Sequence, residues 1–147
     1  MTLQEQLMED LKESMRSGDV VSKNAIRMIR AAIKNTEIEL HRTATDEEVQ
    51  SLISKEIKRR TEAIELFAKG GREDLVEEEK IGIAFLEHYL PAQLGKEDLE
   101  QVIEETLAEI QAGSIKDMGR AMKAIIAKVG NRADGRIVSE IVRNKLS

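Results

Sequence analysis

Six cations in the last third of the chain, Lys116, Arg120, Lys123, Lys128, Arg132 and Arg136, fall at spacings that suit contact with phosphate. Lys116, Arg120 and Lys123 stand at i, i+4 and i+7, so on a helix they share one side. Met118, Ala121, Met122, Ile125 and Val129 recur at three and four on the other side. That pattern marks an amphipathic helix with its cations turned to solvent. Gly130 reads as a left-handed helix cap. The segment Gly130-Asn131-Arg132-Ala133-Asp134-Gly135-Arg136 reads as a flexible turn whose glycines let a phosphate backbone come close. Gly119, one turn into the helix, would allow close approach of a packed helix or of a nucleic-acid strand. A second line of cations, Lys23, Arg27, Arg30 and Lys34, stands at i, i+4, i+7 and i+11 with no acid interleaved. Most solvated helix faces mix signs through i, i+4 pairs. A stripe of one sign points to phosphate, to an acidic neighbouring helix, or to an acidic protein partner.

Groups for covalent chemistry do not assemble. The chain has no cysteine, which excludes disulfides, thiolate metal sites and a cysteine nucleophile. His41 and His88 stand apart, with no partner at metal-ligand spacing, and His88 beside Tyr89 reads as structural. There is no Gly-x-Ser-x-Gly elbow and no glycine- and serine-rich amidase stretch. Glu77, Glu78 and Glu79 are consecutive, so their carboxylates splay around a helix. Gly130 and Gly135-Arg136 match a phosphate-binding loop only superficially, because the Lys-Ser/Thr pair is missing. The expectation is a binding protein with no catalytic residue, no metal and no cofactor.

These cations need helices to carry them, and the composition supplies helix formers. Of 147 residues, 41% are hydrophobic and 35% charged, enough apolar side chains for a core and too many charges for a membrane protein. No apolar run nears the roughly 18 residues of a bilayer span. The aromatic residues are Phe67, Phe85 and Tyr89, which argues against an all-β fold and against recognition by base stacking. The net charge of −5 hides an asymmetry: residues 114–147 hold eight Lys/Arg and three Asp/Glu, and the remainder 15 and 25. The N-terminus is acidic and amphipathic, unlike a signal or transit peptide, and a cytoplasmic protein is expected.

Hydrophobic periodicity predicts seven helices. The first, about 3–17, opens on a Thr2–Glu5 capping box, buries Leu3, Leu7, Leu11 and Met15, and ends at Gly18. The second runs from a Ser22 cap to Leu40 and turns Ala25, Met28, Ile29, Ala32 and Ile33 inward. The third, about 46–69, opens on Thr45 and Glu48 and carries a cationic cluster of Lys55, Lys58, Arg59 and Arg60. The fourth runs from Glu73 to Leu90 with Gly82 inside, which weakens the helix unless it serves close packing. Leu90-Pro91 breaks the chain, because the residue before proline leaves the α region. Helices follow at about 96–112, over the cationic segment, and from Asp134 to the end. The expected fold is all-α: an N-terminal helical bundle of about four helices in residues 1–91, then a small three-helix tail domain in residues 95–147.

The runs LEHYLPAQLGKEDLEQVIEE and SIKDMGRAMKAIIAKVGNRADGRIVSEIVRNKLS resemble the GatB/YqeY family, as do IRMIRAAIKNTEIEL and KEIKRRTEAIELFAKGGREDLVEEE. The resemblance covers essentially the whole chain and is to stand-alone YqeY-like proteins. The C-terminal third is similar to the tail of the B subunit of glutamine-dependent Asp/Glu-tRNA amidotransferase. The motifs that carry it are D-M-G-R-x-M and K-V-x-x-R-A-D-G; Gly95 stands where the family leads one to expect a serine cap. The resemblance implies a non-catalytic accessory protein that grips tRNA, linked to carbon–nitrogen ligation with glutamine as amido donor, with tRNA and a translation or amidotransferase-related protein as partners and no membrane. The alternative is a scaffold that docks an acidic protein through Lys23, Arg27, Arg30 and Lys34.

Overall fold

A computed structural model describes residues 1–147. It is all-helical, with seven α-helices and two short 3-10 turns. The chain divides into two compact units, Met1–Leu90 and Pro91–Ser147.

In the first unit α1 (Leu3–Ser17), α2 (Val20–Leu40), α3 (Asp46–Lys69) and α4 (Glu73–Glu87) enclose one apolar core. Leu7, Ile26, Ile29, Ile53 and Leu86 are fully buried there, each stabilising the fold by about 1.5–3 kcal/mol relative to exposure. Local chemistry sets the ends. Thr2 accepts from the Glu5 amide at 3.1 Å. Gly18 takes φ 76° and turns the chain, a conformation that favours glycine. Asp19, not Ser22, caps α2: its carboxylate accepts the Ser22 amide at 3.1 Å and the Ser22 hydroxyl at 2.7 Å. Those bonds, the amide first, hold the Asp19 carboxyl below its usual range. Thr45 and Glu48 form the expected reciprocal box, and Arg42 adds two bonds to Glu48 at 2.7 and 3.1 Å.

Two apolar assignments change. The buried line of α1 passes from Leu7 and Leu11 to Ser14, a step of three rather than four, so Met15 faces outward at 57% exposure. In α2 the core position expected of Met28 belongs to Ile26. Arg60 differs more. It is buried, with its guanidinium 3.2 Å from both the Glu56 and Glu79 carboxylates. A Cβ on Gly82 would lie 2.6 Å from Arg60 Nη1. Gly82 is therefore the gap in α4 that admits this guanidinium. Tyr89 is buried beyond the end of α4, donates its hydroxyl to Asp10, and meets Phe85 edge-on at 5.6 Å. Burial, then the Asp10 hydrogen bond, pushes the Tyr89 phenol well above its usual range. His88 is exposed, its Nδ1 lying 2.8 Å from the Ala84 carbonyl.

In the second unit α5 (Lys96–Glu109), α6 (Met118–Val129) and α7 (Gly135–Leu146) each give three residues to a separate core. These are Leu99, Ile103 and Leu107; Ala121, Ile125 and Val129; and Val138, Val142 and Leu146. A 3-10 turn at Ile115–Asp117 leads into α6, and another at Gly130–Arg132 leaves it. No helix is long and apolar enough to cross a membrane.

Candidate nucleic-acid interface

The core residues of α6 fix which of its side chains face water. With Ala121, Ile125 and Val129 inward, Gly119, Arg120, Lys123 and Ala127 are left exposed. The outward face of α6 thus carries cations and small side chains together with Ile126, which is 40% exposed. A Cβ at Gly119 would meet nothing within 4 Å, so this glycine serves no helix packing.

The six cations separate into two groups. Arg120 donates to the Ile110 carbonyl at 2.7 Å and to Asp117 at 3.2 Å. It closes the C-terminal end of α5, where a cation also meets the negative end of the helix dipole. Asp117 accepts the Gly113 amide at 2.9 Å as well; that amide first, then Arg120, holds its carboxyl below the usual range. Lys128 pairs with Glu109 of α5 at 2.7 Å. Arg132 donates to the Lys128 carbonyl at 2.8 Å and caps α6. These three serve the fold. Lys116, Lys123 and Arg136 are exposed and their side chains make no hydrogen bond or ion pair. Lys116 sits in the 3-10 turn, Lys123 on α6 and Arg136 in the first turn of α7.

The glycine turn is held rather than loose. Gly130 takes φ 52° and ψ −129°, outside the usual left-handed cap but at a positive φ that favours glycine. The Leu94 amide donates to the Arg132 carbonyl at 2.8 Å, and Gln93 donates to the Asn131 carbonyl at 2.9 Å. Gly135 is not in the turn at all. It is the first residue of α7, capped by Asp134, with open space around it.

Sequence reasoning missed the acidic counterweight. Residues 91–147 hold nine Lys/Arg and nine Asp/Glu. Six of the acids lie on α5, where Glu109 takes Lys128 and Glu104 takes Lys145 at 2.7 Å. The acids at i and i+5 on α5 were the available signal. In the first unit, Arg27, Arg30 and Lys34 are exposed and Lys23 half-buried, and none forms an ion pair. No group of His, Cys, Asp or Glu is arranged to hold a metal.

Fold and site together define an all-helical protein with unpaired cations on solvent-facing helix surfaces. The chain belongs to the YqeY-like protein family, whose pattern matches residues 4–146. It is 32% identical over 143 residues to altered inheritance of mitochondria protein 41 of Pyrenophora tritici-repentis, covering 95% of this chain and 76% of that protein. The proteins of the same name in Eremothecium gossypii and Lachancea thermotolerans are 36% and 40% identical over 87 and 85 residues. Those matches cover 58% and 57% of this chain and 48% and 46% of the relatives, so the chain spans about half the length of each. All three relatives are named as mitochondrial, which overturns the expectation of a cytoplasmic protein. That expectation rested on the acidic, amphipathic residues that form α1. Their composition answers to packing and capping and carries no information about compartment.

Proposed function

We propose that this YqeY-like chain is a tRNA-binding accessory protein whose second unit grips backbone phosphates through Lys116, Lys123 and Arg136. The observation that carries this reading is the availability of those three side chains. They stay unpaired, as do Lys96 and Arg143, in a unit where Arg120, Lys128, Arg132 and Lys145 are engaged by carbonyls or carboxylates. Gly119, one turn before Lys123, is exposed with open space around it, so a nucleic-acid backbone can approach Lys123 from that side. With no aromatic residue in the unit, recognition runs through phosphates and shape rather than stacked bases.

The resemblance of the C-terminal third to the tail of the amidotransferase B subunit points to tRNA among anionic partners. On this reading the first unit is the helical bundle and the second the tail. Any amide transfer from glutamine belongs to a partner enzyme, and this chain holds the tRNA. Filter binding of bulk tRNA to the full chain tests the reading. Replacing Lys116, Lys123 and Arg136 together by Glu weakens binding at least about tenfold, as expected when three phosphate contacts become repulsive. Unchanged affinity, with the helical content intact by circular dichroism, overturns it.

A further inference from the structure

We propose that the trough between α1 and α2 docks an acidic amphipathic helix of a protein partner. The surface lies wholly within the first unit and does not rest on the tRNA reading of the second.

The two helices form an antiparallel hairpin, joined by Gly18 and Asp19. Near its open end Gln4 of α1 donates to Glu37 of α2 at 3.0 Å. That contact sets the Gln4 side of α1 against the cationic edge of α2. Along this side of α1, Gln4, Met8, Leu11 and Met15 recur at steps of four, three and four. Along the facing edge of α2 run Lys34, Arg30, Arg27 and Lys23. On the α1 bank Leu11 is buried and Met8 half-buried, so this bank exposes apolar surface chiefly at Met15, and the other bank is cationic. Toward its open end the trough widens to a cavity of about 390 Å³ lined by Gln4, Leu7, Arg30, Ile33, Lys34 and Glu37. Glu37, one turn from Lys34, forms no ion pair with it; its carboxylate accepts the Ala44 amide at 2.7 Å and Gln4 at 3.0 Å.

Charge complementarity identifies the occupant. The first unit has 14 Lys/Arg against 19 Asp/Glu in residues 1–90, so an acidic partner is repelled over most of it and steered to this stripe. The apolar bank decides between protein and RNA. Met15 on the α1 bank is 57% exposed, and Ile38, on α2 one turn beyond Lys34, is 62% exposed. An RNA backbone satisfies the cations and leaves these side chains against water. A helix with acids on one edge and apolar residues on the next satisfies both banks. Methionine suits such a surface because its flexible thioether adapts to different partners. Lys23 to Lys34 is eleven residues, about 16 Å at a helical rise of ~1.5 Å, so the docked segment is about three turns long.

The probe is a synthetic helical peptide of about three turns, with Glu at i, i+4 and i+7 and Leu on the adjacent line, titrated onto the full chain by fluorescence anisotropy. A control peptide keeps the Glu residues and replaces each Leu by Gln. The first peptide binds and the control binds about tenfold more weakly. Arg27→Glu with Lys34→Glu weakens the first peptide about tenfold, and Met15→Gln weakens it severalfold; all three positions are exposed. Replacing Lys116, Lys123 and Arg136 by Glu leaves peptide binding unchanged, which separates this surface from the tRNA reading. Absence of peptide binding, equal binding of the two peptides, or displacement of the peptide by bulk tRNA each overturns the proposal.

Discussion

On α2, Lys23, Arg27, Arg30 and Lys34 stand together without a carboxylate partner, whereas in the second unit Arg120, Lys128 and Arg132 are held by Ile110, Glu109 and Lys128 main-chain or side-chain oxygens. The two surfaces carry similar charge and spacing in the sequence. They differ because the ends of α5 and α6 offer carbonyls to Arg120 and Arg132 and α5 offers Glu109 to Lys128, while the α2 stripe has no such partner. Charge density is therefore a poor measure of availability. A cation counts toward binding only after caps and cross-helix pairs have been subtracted. Arg60 is the extreme case, since it belongs to a basic cluster in the sequence and to the interior in the fold.

Removing Arg60 takes this contrast to its limit and has the largest expected effect. Arg60→Ala leaves Glu56 and Glu79 without their shared guanidinium and costs about 3–5 kcal/mol in denaturant unfolding of the first unit. A loss below about 0.5 kcal/mol would place Arg60 among the solvated cations instead. Gly82→Ala presses a methyl into the same guanidinium, and about 1–3 kcal/mol is lost.

Arg120 and Lys123 separate the two kinds of cation on a single helix. Arg120→Ala removes the cap of α5 and costs about 1 kcal/mol of stability, with little change in tRNA affinity. Lys123→Ala leaves stability within about 0.5 kcal/mol and weakens tRNA binding severalfold. Thermal melts and filter binding on both variants check the pair, and the reverse outcome would exchange their roles.

Acid has a smaller, local effect in the first unit. Glu48 is held from its ordinary 4.5 down to about 2, first by the Arg42 side chain and then by the Thr45 amide. A carboxyl depressed in the folded state adds stability that is fully present above pH 4.5 and is lost as pH falls toward 2. Glu48→Gln lacks that contribution. The melting temperatures of the two proteins therefore converge across this window, and parallel curves would show that the Arg42–Glu48 contact adds nothing.

The elements that sequence reasoning placed well are those with local causes. Thr45 and Glu48 specify a helix start three residues apart, Gly18 a stop, and Asp134 lies where the last helix is expected to begin. The all-helical class follows from the same local preferences. The state of each cation is a tertiary property: Lys128 finds Glu109 19 residues away, and Lys145 finds Glu104 41 residues away. No spacing rule within one helix reaches that far. Met15 escaped for a related reason. Its step of four from Leu11 fits an apolar stripe, and the packing of the helices buries Ser14 instead.

The most direct test of the second unit's role is the salt dependence of tRNA binding by the full chain. Three phosphate contacts from Lys116, Lys123 and Arg136 predict a slope of about −2 to −3 for log K against log salt. Lys123→Ala alone makes that slope shallower by about one unit. A slope that stays the same when all three cations are replaced by Glu contradicts the assignment of phosphate binding to these side chains.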